Sequence, residues 1–255
     1  MNPASRLNTI VQFFNSVSPN ESMLAAWQRY LGLEASGSEE AALTATQAVL
    51  AEIRSAEARL SQVGVPAELF SEAATLLRNA FSPTQLGAAW VNHRESITKR
   101  AVPLALQWAG WALSRFDEND LPEESIQSLQ EGIAAQEAIL MEVDLPASFR
   151  DMLERQVAEL KTALMLYKVK GVQPLTDAVN KQSSEMRYVP TEMMEDYDKS
   201  SSEVKGAVQK GMALIGLAAK VADQGSKVVK FGKEIYELGA TGWQFGQQLL
   251  TQAAG

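Results

Sequence analysis

Residues 52–67 read EIRSAEARLSQVGVPA, and 80 positions later residues 132–147 read GIAAQEAILMEVDLPA. Ile53 matches Ile133, Leu60 matches Leu140, Val63 matches Val143 and Pro66 matches Pro146. Apolar residues recur at three- and four-residue spacing in both copies, the signature of an amphipathic helix. Each copy therefore reads as a helix, a short break ending in Pro, and a second helix. Trp27/Trp108 and Tyr30/Trp111 agree at an offset of 81. Two stacked helical hairpin units sharing one core are the expected architecture, a tandem repeat of about 80 residues. Any two Ala- and Glu-rich hairpins also share such a pattern without being copies.

The same periodicity extends outward through segments rich in Ala, Leu, Glu and Gln, and runs of alternating Val, Ile and Thr are absent. The expected fold is all-α. Start signals stand at Ser18-Pro19-Asn20-Glu21, Ser82-Pro83-Thr84-Gln85 and Asp120-Leu121-Pro122-Glu123, each pairing a capping side chain with a following Pro. Helices are expected near 4–16, 20–32, 39–62, 67–80, 83–116, 123–142, 147–169 and 172–184. Pro103 should kink the fifth of these. Residues 1–180 form the expected helical body. Residues 181–202, polar and ending in Ser200-Ser201-Ser202, read as a linker.

Residues 203–255 read as an amphipathic helix, or a helical hairpin, with a small residue at every seventh position. The stripe is Gly211, Ala218, Gly225, Gly232, Gly239 and Gly246. Beside it run Leu214, Ile215, Phe231, Ile235, Tyr236, Leu238, Trp243 and Phe245, with Lys220, Lys227, Lys230 and Lys233 on the flank. The apolar arc spans roughly 160° of the wheel. Eight glycines between 206 and 246 cost such a helix about 8 kcal/mol relative to Ala, at roughly 1 kcal/mol each. A contact surface must offset that cost, because small residues let backbones approach closely. Three surfaces are open: the protein's own body, another copy, or a bilayer. In the first case Asp223-Gln224-Gly225-Ser226 or Gly239-Ala240-Thr241-Gly242 marks a break.

A spanning helix is not expected. Gly211–Ala219 is free of charge for only nine residues, short of the roughly 20 a bilayer needs. Leu238–Gly255 is longer but carries Gln and Thr. A helix lying in the interface suits the sequence better. The first 16 residues lack the apolar run and cleavage site of a secretory signal, so a cytoplasmic protein, peripheral at the inner face of the membrane at most, is expected.

The 255 residues carry 23 Lys and Arg against 31 Asp and Glu, a net charge of −8. The segment from Glu203 onward holds six Lys and four acids, +2, leaving −10 on the first 202. An acidic body argues against nucleic-acid binding, and a mildly basic tail suits an anionic membrane surface. Without Cys, disulfides and thiolate metal sites are excluded.

No catalytic pattern emerges. His93 is the single histidine and has no anchoring motif beside it. The Glu192, Glu195, Asp196 and Asp198 cluster has no calcium-loop spacing. Gly225 to Lys233 ends in Gly-Lys, but Glu234 stands where a phosphate loop needs Ser or Thr. Trp108 and Trp111 share a helix face, for which core packing is the default and a partner surface the alternative. No cofactor, metal or small-molecule substrate is expected. Two functional readings follow. One is a non-enzymatic protein that oligomerises or engages a membrane through its C-terminal helix, in the manner of a toxin or defence effector by analogy alone. The other is a cytosolic adaptor or scaffold whose helical body binds a protein partner.

Overall fold

A computed structural model of the chain describes residues 1–33, 39–98, 101–186, 189–226 and 231. Among the described residues there are eleven α-helices, and the only strand-like pairing is one isolated antiparallel bridge, Ser22 with Ala89. The fold is all-α.

The chain divides into two compact units. The division falls at Glu118 and Asn119, with Met165–Gly171 returning to the first unit.

The first unit holds α1 (Pro3–Asn15), α2 (Met23–Leu31), α3 (Glu39–Gln62), α4 (Glu68–Ala80), α5 (Val91–Thr98) and α6 (Ala101–Ala112). Asn2 caps α1 by accepting the Ser5 N–H at 3.1 Å, with Pro3 in the first turn. Gly32 ends α2 at φ +74°, the left-handed conformation open to glycine. The core is aromatic: the Phe14 ring lies 5.1 Å from Trp27, 5.1 Å from Phe81 and 5.2 Å from Trp90, all edge-on. Both buried indole N–H groups, of Trp27 and Trp90, lack an oxygen partner.

Where a single kinked helix was expected over 83–116, the described residues form a 3-10 turn (Pro83–Gln85), a non-helical stretch before Val91, α5, α6 and a second 3-10 turn (Ser114–Phe116), with residues 99–100 outside the description. Backbone pairing with a distant segment interrupts it. Met23 N–H donates to Ala88 O at 2.8 Å, Leu24 N–H to Leu86 O at 2.9 Å, and Trp90 N–H to Glu21 O at 2.8 Å. This pairing also moves the start of α2 from the expected Ser18 to Ser22, whose Oγ accepts the Ala25 N–H. Pro103, where a kink was expected, lies in α6 three residues after residues 99–100, which are outside the described residues.

The second unit holds α7 (Glu123–Glu142), most of α8 (Ala147–Lys170), α9 (Gln173–Met186), α10 (Thr191–Lys199) and α11 (Ser202–Gly225). Residues 181–186 and 191–199, expected to be linker, are helical. In α10 the buried side chain is Tyr197, its ring 6.3 Å from Phe149 of α8.

α3/α4 and α7/α8 are both helix–break–helix hairpins, and the matched positions Ile53 and Ile133, and Leu60 and Leu140, are all buried.

Candidate functional site

The small-residue stripe begins inside α11. Ser201 caps this helix through the Val204 N–H at 3.2 Å, and Gly211, Leu214, Ile215, Ala218 and Gly225 are all buried. α11 packs on α7 and α9. A Cβ at Gly211 would overlap the Leu153 side chain of α8 and lie 3.3 Å from Gln156 Oε1. A Cβ at Gly225 would lie 2.9 Å from Val172 Cβ and 3.1 Å from Leu121. A Cβ at Gly132 of α7 would meet Leu214 at 2.9 Å. Close backbone approach is therefore real along this part of the stripe, and the surface that answers it is the second unit itself. Lys220 is exposed.

α11 does not continue as one helix to the end of the chain. It stops at Gly225, at the Asp223–Ser226 break, where Ser226 is extended. Asn119 satisfies the helix end, its backbone N–H donating to Gly225 O at 3.0 Å and its side chain to Gln224 O at 3.3 Å. Phe231 is buried, and its N–H donates to the Asp223 carboxylate at 3.0 Å. Gly232, Gly239, Gly246, Ile235, Tyr236, Leu238, Trp243, Phe245, Lys227, Lys230 and Lys233 lie outside the described residues.

The first unit carries a polar cluster that the sequence did not announce. Arg6 of α1 and Glu52 of α3 are 3% and 2% exposed. Arg6 Nε donates to Glu52 Oε1 at 2.6 Å, and Nη1 donates to Met1 O at 2.9 Å and Glu118 Oε2 at 3.0 Å. Burial pushes the Glu52 carboxyl above the usual carboxylate range, against the pull of the Arg6 charge. The guanidinium is buried and its hydrogen bonds go to acceptors of the same unit, so the cluster reads as structural.

His93 pairs with Gln85 Oε1 at 3.0 Å, and burial lowers its pKa. Among the described residues no group of three or more His, Asp or Glu is placed to hold a metal ion, and no helix is long and apolar enough to cross a membrane.

The aromatic pair of α6 separates the two roles weighed for it. Trp108 is half-buried, its ring 6.3 Å from Phe70 of α4. Trp111, one turn on, is 81% exposed, and Leu104, one turn before Trp108, is also exposed. Residues 104, 108 and 111 lie on one helix face, opposite Val102, Ala105, Leu106 and Ala109, which face the core. Close by in sequence, the guanidinium groups of Arg59 and Arg115 stack on the Phe116 ring at 5.3 and 4.8 Å.

No family model, curated protein or solved structure matches this chain. The functional argument therefore rests on its own surfaces. Scattered exposed leucines are ordinary, but a tryptophan held almost wholly in water beside other apolar side chains is not.

Proposed function

We propose that the protein is a non-enzymatic interaction module that binds another protein through the Leu104–Trp108–Trp111 face of α6. The observation that carries this reading is the 81% exposure of Trp111 on a helix whose opposite face is core. Tryptophan dominates protein-binding hot spots because it removes a large apolar area from water at little rotamer cost. The two arginines stacked on Phe116 favour a partner that presents carboxylates beside its apolar side chains.

A photo-crosslinking residue at Gln107, exposed between Leu104 and Trp111, tests the proposal in cells of the native host. Discrete adducts should form and should disappear when Trp111→Ser is added. Adducts that persist unchanged in the Trp111→Ser chain would sink it.

The second reading, self-association or binding to an anionic membrane through the C-terminal segment, has its support in Tyr236, Trp243, Phe245 and Lys233 beyond Phe231. The packing of α11 sharpens its test. Removal of residues 203–255 would take out a core helix, so the comparison is between the full chain and residues 1–231. Flotation with anionic liposomes and mass in solution are measured for both. A full-length chain that neither floats nor exceeds monomer mass rules this reading out.

A further inference from the structure

Two guanidinium groups of the first unit share one aromatic ring. The Cζ atoms of Arg59, in the last turn of α3, and of Arg115 lie 5.3 and 4.8 Å from the centre of the Phe116 ring. One arginine over a ring is ordinary, but two bring like charges together. Among the described residues neither guanidinium has an ion pair or a hydrogen bond. The carboxylates nearest to them in sequence are engaged elsewhere. Glu57 pairs with Arg78, Asp117 Oδ1 accepts from Asn2 Nδ2 at 2.9 Å, and Glu118 Oε2 accepts from Arg6 Nη1 at 3.0 Å. Arg29 makes the contrast: it lies 5.4 Å from the Phe13 ring centre and has Glu21 at 3.3 Å to balance its charge. In a chain of net charge −8 the Phe116 pair is a local excess of positive charge. Ring contact takes the face of a guanidinium and leaves its in-plane N–H donors for an acceptor.

We infer that Arg59 and Arg115 together bind a phosphate monoester, carried on a phosphorylated side chain of the protein that docks on the Leu104–Trp108–Trp111 face. Arg115 follows Trp111 by four residues, so a segment docked on that face comes beside the pair. A carboxylate is met by one guanidinium through two parallel bonds. A phosphoryl group carries about −1.5 to −2 charge at neutral pH and three acceptor oxygens, enough to engage both arginines at once. A free phosphorylated metabolite is disfavoured, because Arg115 is exposed and an open surface covers little of a small ligand. The carrier rests on the docking reading of α6, and the phosphoryl group rests on the arginine pair.

The test uses the full chain labelled with ¹⁵N in arginine and titrated with phenyl phosphate. The Arg59 and Arg115 Nε–H signals should shift together and saturably at low millimolar concentration, while that of Arg29 stays still. Benzoate, with the same ring and a single charge, should bind about tenfold more weakly or worse. Arg115→Gln should abolish the Arg59 shift while helical circular dichroism is retained. Absence of a saturable shift overturns the inference, and so does equal affinity for benzoate, both read on the native chain. The carrier is tested with the photo-crosslinking residue at Gln107. Phosphatase treatment of a host extract before crosslinking should remove the adducts. Adducts that survive it overturn the phosphoryl assignment and leave the docking of α6 intact. If no adducts form even without phosphatase, the docking reading fails, and the titration alone decides the arginine site.

Discussion

Arg6 and Glu52 form an ion pair at 2.5 Å between α1 and α3, with both side chains almost wholly out of water. Removing one member leaves the other charge buried and uncompensated, whereas apolar replacement of both is tolerated far better. Arg6→Ala should therefore destabilise the first unit by about 3–5 kcal/mol in urea, and Arg6→Met with Glu52→Leu should recover most of that loss. Tryptophan fluorescence is a suitable readout, because Trp27, Trp90, Trp108 and Trp111 all lie in this unit. A double variant as unstable as Arg6→Ala would contradict the assignment.

Gly171 and Gly64 separate backbone strain from crowding. Both have positive φ, +67° and +79°. A Cβ at Gly64 meets nothing within 4 Å, whereas one at Gly171 overlaps the Glu118 carboxylate and lies 2.6 Å from Arg6 Nη1. Gly64→Ala should cost about 1–2 kcal/mol, the penalty of the left-handed conformation. Gly171→Ala should cost clearly more, since it also disturbs the Arg6 cluster. Equal losses in denaturant unfolding would show that the cluster yields freely.

Gly211 and Gly206 make the corresponding comparison within α11. Gly206 has open space where a Cβ would go, and Gly211 has Leu153. Gly206→Ala should stabilise the second unit by roughly 0.5–1 kcal/mol through helix propensity. Gly211→Leu should destabilise it by about 1–3 kcal/mol through overpacking. Thermal unfolding followed by circular dichroism distinguishes the two, and stabilisation by Gly211→Leu would remove the close-packing account of the stripe.

His93 gives the chain a pH dependence of defined sign. Burial lowers its folded pKa, so the unfolded chain takes up the proton first as pH falls below the ordinary value of about 6.5. The contribution of His93 to stability is complete above that pH and is lost progressively below it. Stability of the native chain relative to His93→Gln should fall between pH 7 and the lowered folded value. A stability difference that stays flat across that interval would refute the sign.

Much of the fold was legible in the residues. α3 and α7 occupy the spans expected from apolar spacing, because their ends carry acids, Pro or Gly that act locally. The 83–116 region was misread because the backbone of residues 86–91 bonds to residues 19–24, a pairing no local pattern encodes. α10 was missed because Tyr197 alone gives a polar segment its buried face. The stripe shows the same limit. Its seven-residue spacing was visible, but the identity of Leu153 as the group lying over Gly211 depends on tertiary packing. Trp108 and Trp111 were correctly placed on one face, yet spacing gives no measure of exposure, and the two differ in it.

The bridge between Ser22 and Ala89 ties together positions 67 apart, with α2, α3 and α4 between them. Helical hairpins close quickly because their contacts are local, but this pairing must wait until the whole intervening chain is gathered. It sits beside Trp90, so completion of the aromatic core and closure of the bridge become one event. The amides of Met23, Leu24 and Trp90 should accordingly exchange with solvent only when the entire first unit opens, which makes them natural reporters of its cooperativity.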